Sequence, residues 1–176
     1  MKIGVLSDSH HELENVNDAV IFLKKNGAKL IIHLGDDYND LDNICDEHAI
    51  RVPGLYCDAY LKSYVPNRRI EEIEGWTVLL THTPESTLDD LPDDPHPEDL
   101  IKNQEIDIML YGHTHTPEIK MENDIVYINP GHLKKEDKKG HPATFALIDM
   151  SEHKLFITIY KLSDKSVLKE QNFGKE

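Results

Sequence analysis

The stretch KIGVLSDSHH (residues 2–11) is a short apolar run that stops at a serine and is followed by Asp-x-His. Such a run, bounded by polar turn residues, predicts a buried strand over residues 2–7, with Asp8 and His10 just past its carboxyl end. Downstream, ELENVNDAVIFLKKN (12–26) sets Val16, Ala19, Val20 and Leu23 at helical spacing, and Gly27 follows as a stop. AKLIIHLGD (28–36) predicts a second buried strand ending in Gly35-Asp36. YNDLDNICDEH (38–48) reads as a short helix and AIRVPG (49–54) as a third strand. Strands alternating with helices in this order predict parallel strands joined by right-handed crossovers.

The second half changes character. RRIEEIEGWTVLLTHT (68–83) reads as a hairpin turning at Gly75, and the Pro-rich acidic segment after it becomes helical around 97–104. IDIMLYGHTH (106–115) is another buried strand with a polar end. Hairpins are expected over 117–131, turning at Glu122-Asn123-Asp124, and over 142–162, turning near Ser151-Glu152. LKKEDKKGHP (133–142) reads as a charged surface loop. The chain, 176 residues long, contains no repeat and no linker, so one domain over 1–176 is expected.

The formal net charge of −14 disfavours wrapping around nucleic acid, because such a field repels phosphate backbones. A small phosphorylated substrate is still compatible if metal cations reverse the field locally. No apolar run approaches membrane-span length, and MKIGVLSDSH leads straight into folded-looking sequence without a signal peptide. With only Cys45 and Cys57, both expected to be free thiols, the expectation is a cytoplasmic protein that makes no membrane contact.

Four expected buried strands each deliver Asp or His just past their carboxyl ends: Asp8 and His10, Asp36, His82, and His113 with His115. In open α/β sheets that edge is where ligands bind. Asp-x-His and His-x-His put both members of each pair on one side of extended chain. A lone Asp-x-His or Gly-Asp is ordinary; the weight comes from all of them falling at strand ends in one chain. Imidazole and carboxylate together suit Mn, Fe, Zn, Ni or Co better than Ca or Mg. Six groups exceed one tetrahedral zinc and suggest two metals sharing a carboxylate. His33 reads as a core histidine inside a strand, and His48, His96, His141 and His153 as solvated. His11 and His132 adjoin strand ends and are candidates for substrate contact.

SDSHH, GD about 28 residues later, THTP, YGHTHTP and INPGH together resemble the calcineurin-like metallophosphoesterase family, and more closely its small prokaryotic phosphodiesterase branch. The resemblance runs from Lys2 to about Leu162. It implies an α/β four-layer αββα sandwich of two mixed β-sheets flanked by helices, with a dinuclear metal site at the strand carboxyl ends. Asp8, His10, Asp36 and His115 would hold the first metal, Asp36 would bridge, and His82 and His113 would hold the second. Phosphodiester hydrolysis by a metal-bridging hydroxide is implied, with monoesters cleaved less well. Manganese is the first expectation for both metals, and Ni, Fe, Co or Zn the alternatives. The branch also tends to form homo-oligomers.

One departure matters. The branch usually has GNCD where this chain has GLYCD (54–58), which puts Tyr56 in the slot of a metal-binding Asn and adds Leu55. Asp58, a backbone carbonyl or water would have to substitute, or the second metal is weak or absent. Cys57 falls where other branches carry a leaving-group His, and a thiol, with an unperturbed pKa of about 8.5, is a poorer donor there. Activated diesters are therefore expected to be better substrates than alkyl monoesters. Thr83-Pro84 replaces Gly-His after His82, and His132 stands where Ser or Thr usually follows INPG. The rival reading is a catalytically weak or inactive scaffold, since a eukaryotic retromer subunit shares the fold and acts mainly through surfaces.

Overall fold

The structure, a computed structural model, describes residues 1–42, 44, 49–62 and 64–175. The opening run forms β1 (Lys2–Leu6), followed by α1 (Leu13–Lys25), β2 (Leu30–His33) and β3 (Ala49–Arg51). These three strands pair in parallel in the order β1-β2-β3. Helix α1 buries the expected stripe of Val16, Ala19, Val20 and Leu23. It ends in a paired closure: the Gly27 N–H donates to the Lys24 carbonyl and the Ala28 N–H to the Leu23 carbonyl, both at 3.0 Å. Gly27 adopts a φ of 92°, which only glycine takes readily.

Between β2 and β3 the described residues 38–42 and 44 make successive turns rather than a helix. Asn39, Asp40 and Asp42 favour turns through their short polar side chains. The rest of the expected 38–48 helix, with Cys45 and His48, lies outside the described residues.

The second half contributes β4 (Arg68–Ile73), β5 (Trp76–Thr81), α2 (Pro97–Lys102), β6 (Ile108–Leu110), β7 (Glu118–Glu122) and β8 (Ile125–Asn129). They form a five-stranded sheet in the order β4-β5-β6-β8-β7, in which β5, β6 and β8 are mutually parallel. The chain then returns to the first sheet. β9 (Thr144–Ser151) pairs antiparallel with β1, and β10 (Lys154–Lys161) and β11 (Val167–Gly174) extend it to β11-β10-β9-β1-β2-β3. β11 is absent from the sequence expectation. Its stretch VLKEQNFG carries little apolar signal because it is an exposed edge strand.

Period-two alternation builds the layers. Ile3, Val5, Ala146, Ile148 and Ile157 of one sheet face Val78, Leu80, Ile108 and Ile128 of the other in one core. The alternate residues face outward: Phe145 and Leu147 pack on α1, and Leu79 and Met109 pack near α2 through Leu100. Two mixed sheets face each other with a helix outside each, which is the expected αββα order. Among the described residues no helix is long and apolar enough to cross a membrane.

Candidate metal centre

β1, β2, β5 and β6 each run into a loop that carries the polar residues singled out in the sequence. Backbone hydrogen bonds tie these loops to one another. The Asp8 N–H donates to the Gly35 carbonyl at 3.0 Å, the Gly54 N–H to Asp36 at 3.0 Å, and the Gly112 N–H to His82 at 3.0 Å. Two glycines permit this crowding. A Cβ on Gly112 would sit 1.9 Å from Ser7 Oγ, and one on Gly54 2.3 Å from the Asp36 Cα. The loops also bend sharply. Asp8, His10, His11, Asp36, His113 and His115 all adopt φ between 47° and 65°, in the left-handed region. Each costs roughly 1 kcal/mol or more outside glycine, and such strain persists only where surroundings over-determine it.

The side chains converge. His10 Nε2 lies 2.7 Å from Asp36 Oδ2 and 3.1 Å from His115 Nε2, and His115 Nε2 is 3.3 Å from Asp8 Oδ1. On the other side of Asp36, His82 Nε2 is 3.7 Å from Oδ1 and 3.3 Å from His113 Nδ1. The contact between His10 and Asp36 lacks hydrogen-bond geometry, and Asp36 Oδ2 is buried without a hydrogen bond. A buried carboxylate oxygen in that state is costly unless something else satisfies it.

The outer partners explain which ring atoms face inward. His115 Nδ1 is 2.8 Å from Asp137 Oδ1, and His82 Nδ1 is 2.8 Å from the Leu34 carbonyl. In the neutral rings those partners hold the proton on Nδ1 and leave the Nε2 lone pair bare toward Asp36 and Asp8. Asp8, with its side chain 1% exposed, accepts the His113 N–H at 2.9 and 3.1 Å and the Ser7 hydroxyl at 2.6 Å. Burial pushes the Asp8 carboxyl up, but His115, His82 and Ser7 outweigh it and hold it below the usual range. Contact with Asp8 raises His115 against burial, with Asp137 adding to the rise. Burial, and then His82, lowers His113.

Bare nitrogen and carboxylate oxygens aimed at shared points suit divalent cations. Asp8, His10, Asp36 and His115 offer donor atoms all within 4.8 Å of one another. His82 and His113 extend the set past Asp36, so the residues present fit a group with Asp36 in the middle.

The remaining candidates sit elsewhere. Tyr56 is 89% exposed and borders the small cavity that His10 and Asp36 also line. Asp58 is exposed and lines a cavity of about 440 Å³ with His11, Asp37 and Asp40, apart from the Asp36 cluster. Cys57 is a half-buried free thiol that lines a small cavity with His10 and Asp36, and its sulfur accepts the Ala59 N–H at 3.5 Å. The largely exposed His11 ring lies between Asp37 and Asp40, 3.3 Å from each. His132 is fully buried, its Nδ1 accepting the Lys134 N–H and its Nε2 facing the His141 carbonyl. It backs the His115 ring at 5.3 Å between centroids rather than lining open space.

Three supporting residues escaped the sequence reading. Asp137, with its side chain 3% exposed, belongs to the segment read as a charged surface loop. Asn129 donates to the Gly112 carbonyl and to Thr114 Oγ1, both at 3.0 Å, and so fixes the GHTH turn. Buried Arg68 bridges Thr81, Thr83 and Asp90 around His82. Asn129 alone had a signal, as the Asn of INPGH.

The fold and this strand-edge constellation define a metallophosphoesterase-type protein, and comparison with known proteins agrees. The model of the calcineurin-like phosphoesterase superfamily domain matches residues 1–153, and the chain belongs to that superfamily. Phosphodiesterase MJ0936 of Methanocaldococcus jannaschii is 25% identical over 146 residues, covering 74% of this chain and 83% of its own. The structure of YfcE, a phosphoesterase from Escherichia coli, superposes with a TM-score of 0.71 at 22% identity, covering 97% of this chain and 98% of that one. Chaetomium thermophilum Vps29 superposes with a TM-score of 0.72 at 15% identity over the whole of both chains. The last two likenesses concern the fold.

Proposed function

We propose that this chain is a divalent-metal-dependent phosphodiesterase, built as one domain over residues 1–176 and acting on a small phosphorylated substrate. The carrying observation is the convergence of bare imidazole nitrogens and a buried, unsatisfied carboxylate oxygen on either side of Asp36. Asp8, His10, Asp36 and His115 would hold one metal, and Asp36, His82 and His113 a second. Manganese is the first expectation, with Ni, Fe, Co or Zn as alternatives. When bound, such metals neutralise phosphoryl charge and lower the pKa of a coordinated water.

The chain's own residues do the rest. Asp137 and the Leu34 carbonyl fix the His115 and His82 tautomers, and the His113 N–H holds Asp8 in place. Cys57 flanks the cluster on the side of His10, where a leaving group would need a proton. A thiol serves that role poorly, so diesters with acidic leaving groups are favoured over alkyl monoesters. Asp58, exposed and lining the larger acidic cavity, stays outside both ligand sets. Turnover of bis(p-nitrophenyl) phosphate by the manganese-loaded protein, with far slower release from an alkyl monoester, is the expected result. Equal rates on the two substrates would contradict the leaving-group account, and no turnover with Mn, Ni, Co, Fe or Zn would contradict the enzyme.

A second reading, an interaction scaffold, is favoured by one feature. Tyr56, Leu61, Tyr64 and Leu88 are at least 68% exposed, the first three within the segments 55–62 and 64 and the last on the acidic insert. Exposed apolar groups mark a contact surface where they join into one patch. Metal binding without turnover would favour that reading.

A further inference from the structure

The two flanks of the Asp36 cluster carry opposite charge. On the Cys57 flank the cavity of about 440 Å³ presents Asp37, Asp40 and Asp58 with, among the described residues, only His11 as a basic group. On the opposite flank a cavity of about 250 Å³ is lined by His113, His115, Lys134, Asp137, Lys138 and Lys139. Its one acid is engaged, since Asp137 is hydrogen-bonded to His115 and accepts the Lys139 N–H at 2.9 Å. The loop is held in place. Lys139 Nζ donates to the Thr114 carbonyl at 2.8 Å, and the Lys134 N–H to buried His132 at 3.1 Å. Among the described residues, the Lys134 and Lys138 ammonium groups have no acidic partner, whereas Lys135 turns away to Glu12 at 3.4 Å. In a chain of net charge −14, an anchored basic wall against the two GHTH histidines calls for an anion.

We infer that the 134–139 loop is an anion subsite that receives a second phosphate on the substrate, next to the phosphodiester held at the Asp36 cluster. This deepens the phosphodiesterase reading and rests on it for the position of the scissile group. The substrate class is then a phosphodiester with an additional phosphomonoester, such as a nucleoside 5′-phosphodiester that carries a 3′-phosphate. The acidic flank would repel the same group, which fixes the direction in which such a substrate lies.

The test compares thymidine 5′-(p-nitrophenyl phosphate) with its 3′-phosphorylated counterpart, using the manganese-loaded full chain at low ionic strength. The added phosphate should raise kcat/KM about tenfold, an advantage that shrinks as salt screens the lysines. Lys134→Ala with Lys138→Ala should remove the advantage, and Lys135→Ala should keep it. Calorimetric binding of thymidine 3′,5′-bisphosphate against thymidine 5′-monophosphate gives a readout independent of turnover. Equal rates on both substrates, or an advantage that survives the double variant, overturn the subsite while leaving the phosphodiesterase intact. If neither substrate turns over, tighter bisphosphate binding lost in the double variant supports the subsite and breaks only the enzyme reading. Equal binding of the two nucleotides then overturns the subsite as well.

Discussion

The Asp36 cluster and the Gly54–Asp58 turn lie side by side, yet they are held in opposite ways. In the cluster three inward-facing groups have outer partners: Asp137 behind His115, Leu34 behind His82, Ser7 and the His113 N–H behind Asp8. Its backbone is strained, and its loops are bonded to one another. In the turn, Tyr56 and Asp58 are exposed, and the Cys57 thiol has a single weak contact from the Ala59 N–H. The turn is anchored mainly at its ends, by Gly54 against Asp36 and by Tyr60, whose hydroxyl donates to Asp90 at 2.6 Å. Function should therefore be sensitive to single substitutions in the cluster and tolerant in the turn.

The largest expected effect comes from the shared carboxylate. Asp36→Asn should abolish tight metal binding and cut diesterase turnover about a thousandfold or more, since metal-ion electrostatics supply several kcal/mol. Isothermal titration and steady-state rates check this, and a variant within tenfold of the parent would break the contrast.

The next concerns the frame of the cluster in the metal-free protein. His33 is fully buried, with Nε2 3.1 Å from Ser9 Oγ and Nδ1 accepting the Gly35 N–H. Burial lowers its pKa to about 4. Because the unfolded chain takes up that proton nearer its ordinary value of about 6.5, stability should fall as pH drops from about 6.5 to about 4, by on the order of 3 kcal/mol. Urea melts across this window should show a steeper slope for the parent than for His33→Gln. His115 acts with the opposite sign: its raised pKa gives stability that is lost as pH rises through the folded value.

A smaller effect separates the ligands from their supports. Asp137→Asn keeps the shape but weakens the acceptor that orients His115, and should cost about ten- to a hundredfold in metal affinity, in line with outer partners of metal ligands. Competition with a chelator measures it. The smallest effects belong to the turn. Cys57→Ala and Asp58→Asn should each leave turnover of bis(p-nitrophenyl) phosphate within about threefold, because p-nitrophenolate leaves without protonation. A larger loss in Asp58→Asn would return that residue to the ligand set.

The same contrast governs how much was legible in the sequence. Strand-end Asp and His residues stand out because they follow apolar runs whose period and length announce buried strands, so β1, β2, β5 and β6 and their terminal residues could be placed. The motif set then implied the two-sheet architecture that the structure has. Partners that reach the site from loops were not legible. Asp137 reads as one more charge in a lysine-rich loop, and only the return of the chain to β9 brings it behind His115. β11 escapes the sequence because an exposed edge strand lacks an apolar face, and the helix expected over 38–48 gives way in the described residues 38–42 and 44 to turns that Asn39, Asp40 and Asp42 favour.

The central claim is that Asp36 lies between two metal positions. Crystals of the full chain grown with manganese and measured at the manganese absorption edge test it most directly. The account predicts two anomalous peaks, one bounded by Asp8, His10, Asp36 and His115 and the other by Asp36, His82 and His113. No peak at Asp36, or density only at His11, Asp37 and Asp40, would contradict it.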